Sequence, residues 1–180
     1  MAHRALPCAD DLLGVVFLGG GVDLVCACDI RLVSDDAFFV IEETNIGMTA
    51  DVGTYPRISR LLPDAIVREL SFTGRKMLAD EAHQRGFVNH QYSNQDELLA
   101  KAMEMASSIA SKAPNAVYGC KKLINYSLDH STQDTLDYIA LWNASKLDLM
   151  EMQAAMQARM TKQAATYNAL PPRKTSVAKD

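Results

Sequence analysis

The pattern of apolar and polar positions changes character about a third of the way along the chain. Residues 15–18 are apolar and partly β-branched, which predicts a short buried strand. Gly19, Gly20 and Gly21 follow it as a turn, because three glycines in a row lose too much backbone entropy to extend a regular element. Residues 22–28, VDLVCAC, read as a short, mostly buried helix. Two apolar runs, 30–33 and 37–41, flank Ser34-Asp35-Asp36 and predict two strands around a polar turn. Residues 42–54 read as a loop that carries Glu42, Glu43, Asp51 and two glycines.

Beyond this loop the period becomes helical. Residues 56–62 predict a helix stopped by Pro63, and 64–72 a second one. A third helix over 80–85 is closed by Gly86 as a C-terminal cap, and 87–92 read as a short strand. Asn94 caps a long helix through Ser111, with Leu98, Leu99, Ala102, Met105, Ala106 and Ile109 on one face. Pro114 opens the next helix, to about Asp129. Ser131 or Thr132 caps a last one expected to run to about Tyr167, and a polar, loose tail follows from Pro171. About four short strands are too few to close a sheet on themselves, so the pattern matches the back part of a larger α/β fold.

Composition narrows the classes of function. The chain has 180 residues, 48% of them apolar and 22% charged, which is enough for a real core. A net charge of −4 gives no basic surface for nucleic acid or an anionic membrane, and no apolar stretch is long enough to span a bilayer. Cys26 and Cys28 lack a second pair at metal-ligand spacing and read as reduced, buried thiols. The four histidines, His3, His83, His90 and His130, are scattered, with His83 and His90 on the surface. Tyr138 and Trp142, four apart on a helix, read as packing.

Two features carry candidate chemistry. The glycine run is either a tight turn where strand and helix pack closely, or a bare helix N-terminus whose N–H groups stabilise a developing oxyanion or a phosphate. It is neither a phosphate loop nor a dinucleotide fingerprint, since no Gly-Lys-Ser/Thr and no Gly-x-Gly-x-x-Gly is present. The second feature is the set of carboxylates Asp23, Glu43 and Asp51. Asp23 falls in the first turn of the short helix, where it complements the helix dipole. Glu43 and Asp51 stand eight residues apart on one loop, as solvated charges or as a pair of proton-transfer groups beside an apolar pocket. No Gly-x-Ser-x-Gly elbow accompanies them.

Residues 19–54, GGGVDLVCACDIRLVSDDAFFVIEETNIGMTADVGT, resemble the crotonase superfamily of enoyl-CoA hydratases and isomerases. The Gly-Gly-Gly-x-acid-Leu run, the Ala-Cys-Asp-Ile-Arg segment and the Glu-x-x-x-Gly loop carry the likeness. Residues 72–89, 112–131 and 138–147 extend it. Asp51, in Thr-Ala-Asp-Val-Gly, makes the chain look more narrowly like the Δ3,5-Δ2,4-dienoyl-CoA isomerases, since typical hydratases carry a small residue there and a glutamate where Asp23 stands. The resemblance implies an α/β fold: the C-terminal part of a β-β-α spiral over 14–92, then a helical oligomerisation region over 93–168. Residues 1–13 are expected to be an unrelated or disordered leader, and 169–180 a flexible tail. A full member carries a front half that supplies early spiral turns and a second oxyanion donor, so the chain is expected to be truncated at its N-terminus.

By the same resemblance, the Gly20 N–H donates to the thioester oxygen. Glu43 is the base at C2, Asp51 the acid at C6, and Asp23 an orienting group. No metal or redox cofactor is implied, and coenzyme A arrives as part of the substrate. The partners implied are an acyl-CoA thioester and further copies of the chain in a trimer or hexamer, with no nucleic acid and no membrane. The location implied is a mitochondrial or peroxisomal matrix. Alternatives within this resemblance are an enoyl-CoA hydratase, against which Asp51 argues, and an impaired remnant acting only as an oligomer partner.

Overall fold

The computed structural model describes residues 16–170. The expected leader over 1–13 with its Cys8, and the tail from Pro171, lie outside the described residues. The described residues divide into two compact units, 16–105 and 106–170.

The first unit holds the glycine turn and the three carboxylates. Strand β1 (Val16–Leu18) runs into helix α1 (Gly20–Ala27) with only Gly19 between them. Strands β2 (Leu32–Ser34) and β3 (Phe38–Val40) follow, then a 3₁₀ turn over Glu42–Ile46, α2 (Thr54–Ile58) and α3 (Asp64–Thr73). The unit continues through β4 (Met77–Leu78), α4 (Ala79–Gln84), β5 (His90–Tyr92) and the start of α5 (Gln95–Ala110). The strands make two small sheets among the described residues. One has the order β1-β3-β4, with β1 parallel and β4 antiparallel to β3; the other pairs β2 with β5 in parallel.

The two strands expected around Ser34-Asp35-Asp36 are therefore both present, and they do not pair with each other. They turn away from each other into different sheets, because each finds its ladder with a distant segment. The turn itself is held by Ala37 donating to the Ser34 carbonyl at 3.0 Å. Between the sheets and α1 lies a core of Phe17, Val22, Val25, Val33, Phe39, Ile58, Met77 and Phe87. Phe39 stacks on Phe17 at 5.1 Å and meets Phe87 edge-on at 5.0 Å, so one ring ties β1 to the chain before β5. Helix α2 ends at Ile58, short of the residue 62 expected for it.

Asn94 caps α5 as its residue type predicts: its side chain accepts from Glu97 N–H at 2.9 Å, and Glu97 reaches back to Ser93 N–H at 3.2 Å. Of the apolar face expected on this helix, Leu98 is fully buried and Leu99 is exposed. Gly86, at φ +76, follows α4 as expected of a C-terminal glycine.

The second unit is helical. Helix α6 (Pro114–Ser127) opens on its proline, and α7 (Thr132–Lys146) on Ser131, whose hydroxyl accepts from Asp134 N–H at 3.1 Å. Helices α6 and α7 pack through Tyr126 on Tyr138 at 4.4 Å and Tyr118 on Trp142 at 5.7 Å. The last helix was expected to be unbroken to about Tyr167. It is instead two helices, because Asp148 caps a new one, α8 (Leu149–Thr161), by accepting from Met150 and Glu151 N–H. Leu136, Leu141, Leu147, Leu149, Met150, Met156 and Met160 are exposed in this unit.

Candidate active site

The glycine run has three different jobs. Gly19 is the N-cap of α1 at φ +50, a backbone that side chains other than hydrogen adopt only under strain. Its N–H donates to the Val40 carbonyl at 3.1 Å, which extends the β1–β3 ladder by one residue. Having no side chain, it caps nothing, so the first N–H groups of α1, those of Gly20 and Gly21, have no partner within the helix. Above Gly20 there is open space: a Cβ built there meets no atom within 4 Å. Gly21 is packed against the Phe17 side chain, 3.8 Å from where its own Cβ would stand.

Glu43 closes over this turn. A Cβ on Gly19 would lie 3.0 Å from Glu43 Oε1, so the carboxylate rests on the bare backbone one residue before Gly20. Its other oxygen, Oε2, is buried without a hydrogen-bond partner. The segment bearing Glu43 is pinned on its far side to α3. Thr44 Oγ1 donates to the Ser71 carbonyl at 2.8 Å, and Asn45 Nδ2 to the Gly74 carbonyl at 3.0 Å. Gly74 sits at φ +59 with the Asn45 amide where a Cβ would be. Gly47, in the left-handed region at φ +78, then turns the chain, and Met48 N–H donates back to the Glu43 carbonyl at 2.8 Å.

Asp23 stands in the first turn of α1 and is 5% exposed. Thr54, the first residue of α2, donates its hydroxyl to Asp23 Oδ1 inside the protein, while Oδ2 is buried with no partner. Asp51 is exposed, on the stretch between the 3₁₀ turn and α2. On the same segment of chain, Ile46, Met48 and Val52 expose large apolar side chains. The structure thus brings Glu43 onto the glycine turn and Asp23 one helical turn below it, and leaves Asp51 in solvent three residues before Thr54.

Thr54 and the pair Thr44/Asn45 had no prominence in the sequence. Reading 42–54 as one undivided loop hid that its two ends are anchored, one on α3 and the other on α1. The available signal was Gly53 followed by threonine ahead of a helical period, since a glycine at φ +122 lets the chain turn sharply into α2.

At the other end of α1, Arg31 is buried. Its guanidinium donates to the Phe87 carbonyl and, at 2.7 Å, to the Cys28 carbonyl at the helix C-terminus, and it lies over the Phe87 ring. Removal from water pulls its pKa below the usual guanidinium value. Burial first, and the Asp23 carboxylate to a lesser degree, push the Cys26 thiol up to about 12, against the opposing pull of Arg31. Cys26 and Cys28 are both buried, as expected, whereas Cys120 is exposed. Tyr138 and Trp142 meet edge to face at 6.3 Å, and His83 and His90 are on the surface.

A strand thus enters a glycine turn, the helix that follows has no side-chain cap, and a carboxylate is folded onto that turn. The family model described as enoyl-CoA hydratase/isomerase matches residues 14–169, and the chain belongs to that family. Among its relatives is the mitochondrial Delta(3,5)-Delta(2,4)-dienoyl-CoA isomerase of Rattus norvegicus, 45% identical over 146 residues, which are 81% of this chain and 45% of that one. A peroxisomal protein of the same name from Arabidopsis thaliana is 38% identical over 81% of this chain and 52% of its own. Among solved structures, an enoyl-CoA hydratase from Bacillus anthracis superposes with a TM-score of 0.80 at 29% identity, over 84% of this chain and 58% of that one. The fold is the α/β crotonase type. The chain spans about half the length of the curated relatives it matches.

Proposed function

We propose that this chain carries the proton-transfer site of a dienoyl-CoA isomerase, converting a 3,5-dienoyl thioester to the conjugated 2,4-isomer. The observation that carries the reading is Glu43, a carboxylate with a buried, partnerless oxygen laid against a bare glycine turn beside open helix N–H groups. A thioester oxygen over Gly20 accepts from that N–H. As a proton leaves C2 toward Glu43, the electron pair moves into the thioester and the diene, and the oxygen gains the charge that the N–H and the α1 dipole stabilise. The pair then returns through the diene to C6, which takes a proton from Asp51. One proton leaves, one arrives, and the double bonds shift by one carbon.

Asp23 orients groups in the same site. The transfer moves no electrons between molecules, so it asks for no redox carrier, and coenzyme A arrives with the substrate. The exposed Ile46, Met48 and Val52 suit an apolar acyl chain near Asp51. Residues 14–92 act as the spiral core and 93–168 as the oligomerisation region. The exposed leucines and methionines of α7 and α8 favour contacts with further copies of the chain, in a trimer or hexamer. The relatives named mitochondrial and peroxisomal support one of those two matrices as its location.

The test is an ultraviolet assay of the purified chain with a 3,5-dienoyl-CoA, following the conjugated product directly. Glu43→Gln and Asp51→Asn each remove a proton-transfer group and should abolish the rise in absorbance. A folded wild-type chain with no rate would refute the reading and favour a role confined to assembly.

A further inference from the structure

Thr54 is not among the groups that the reaction itself requires, yet its environment is unusual. It is 1% exposed, at the first residue of α2, and its hydroxyl is given wholly to Asp23 Oδ1. Asp23 is itself 5% exposed, and no cation pairs with it among the described residues. A buried carboxylate with one neutral donor and one orphan oxygen is a costly arrangement that packing alone does not call for. Among the described residues, Thr54 is the one side chain whose hydrogen bond sets which oxygen is tied and which is left over. It is also suited to hold that choice. A β-branched side chain has few χ1 options in a helix, and Gly53 at φ +122 directs the chain so that position 54 falls inside. The bond has a second consequence: it fastens the end of the segment carrying Asp51 to the helix that begins at Gly20.

We propose that Thr54 is a positioning residue: it holds the Asp23 carboxylate by one oxygen so that the other, Oδ2, stays unpaired and available within the site. The proposal rests on the isomerase reading above for what that available oxygen serves, but not for the geometry. Asp23 acts on the reaction; Thr54 acts through Asp23.

The test uses the full chain with Thr54→Val, which keeps the shape and loses the donor, and Thr54→Ser, which keeps the donor. Thr54→Ala is a second donor-less variant in case valine disturbs folding. In the ultraviolet assay, the donor-less variants should lose kcat by at least about tenfold and up to about 100-fold, the scale of a catalytic group displaced by about 1 Å, with KM little changed. Thr54→Ser should recover most of that loss. In an Asp23→Asn background, Thr54→Val should cost no further rate, because the two act as a unit.

Full kcat in a folded donor-less variant, or an equal further loss in the Asp23→Asn background, would overturn the proposal. The geometry is read separately, from crystal structures of the wild type and Thr54→Val. The proposal expects Asp23 to leave its rotamer when the hydroxyl is gone. An unmoved Asp23 would overturn it whatever the rate. A wild-type chain without activity whose Asp23 does move would fail the isomerase reading and leave the positioning role standing.

Discussion

Alanine at Gly19 and at Gly20 should do opposite things, although the two residues are neighbours in one glycine run. At Gly19 the backbone is at φ +50, and the new Cβ would lie 3.0 Å from Glu43 Oε1, so a few tenths of an ångström must be found by the carboxylate. Backbone strain of this kind costs about 1–3 kcal/mol. For a chain of this size each kcal/mol lowers the melting temperature by about 2–4 °C. At Gly20 the φ is not positive and no atom lies within 4 Å of the new Cβ. The fold should therefore be unharmed, or gain a few tenths of a kcal/mol from the better helix former. The methyl group does, however, occupy the open space where a thioester oxygen would reach the N–H. Loss of such a donor costs about two to three orders of magnitude in rate. Gly21→Ala, with its Cβ in ordinary 3.8 Å contact with Phe17, is the control and should hold both stability and rate.

Thermal melts and the ultraviolet isomerase assay on the three variants decide the matter. The expected pattern is a lowered melting temperature for Gly19→Ala and a lost rate with intact folding for Gly20→Ala. Full activity in Gly20→Ala would refute the oxyanion role. A fall in its melting temperature like that of Gly19→Ala would reduce the whole run to a tight turn.

Other outcomes follow from the same structure. Asp51→Ala, at an exposed position, should move stability by no more than about 0.5 kcal/mol while abolishing isomerisation; a folded variant with wild-type turnover would sink its assignment as the acid. Gly74→Ala should destabilise by about 1–2 kcal/mol, since it strains a residue at φ +59 and displaces the Asn45 amide that pins the Glu43 segment; an unchanged denaturation midpoint would contradict this. Iodoacetamide at pH 8 should label the exposed Cys120 and spare Cys26, whose buried thiol, pushed up to about 12, is protonated at that pH; peptide mass spectrometry reads the result. Because the folded state raises this pKa from an ordinary value of 9.0, the stability tied to the neutral thiol is complete below pH 9 and is lost between there and about 12. Cys26→Ala should flatten alkaline unfolding in that window, and an unaltered pH profile would show that Cys26 has no part in it.

Much of this architecture was legible in the residues, for physical reasons that also explain what was hidden. The strand, glycine turn and helix around Gly19 stood out because an apolar run, three residues without side chains and a second apolar run leave few alternatives. Ser131, Asn94, Pro114 and Gly86 announced helix ends through local chemistry, and local chemistry survives in sequence. Pairing does not. Nothing near Ser34 reveals that β2 seeks β5 and β3 seeks β1, since those partners lie far along the chain. The break before α8 was legible in principle, because Asp148 with Glu151 three residues on is a capping pattern, but an uninterrupted helical period concealed it. In the site, the residue types of Glu43 and Asp23 suggested chemistry. Their placement depends on anchors of another kind: Thr44 and Asn45 on α3 carbonyls, and Thr54 on Asp23. A threonine's partner across 31 positions of sequence is a property of the fold alone.

If Glu43 takes the C2 proton and Asp51 gives one to C6, the reaction run in heavy water leaves a record that NMR of the product can read. The expected product is a 2,4-dienoyl thioester carrying one deuterium at C6. A hydrated product with deuterium at C2, or conjugated product with no deuterium at C6 from a site open to solvent at Asp51, would contradict it.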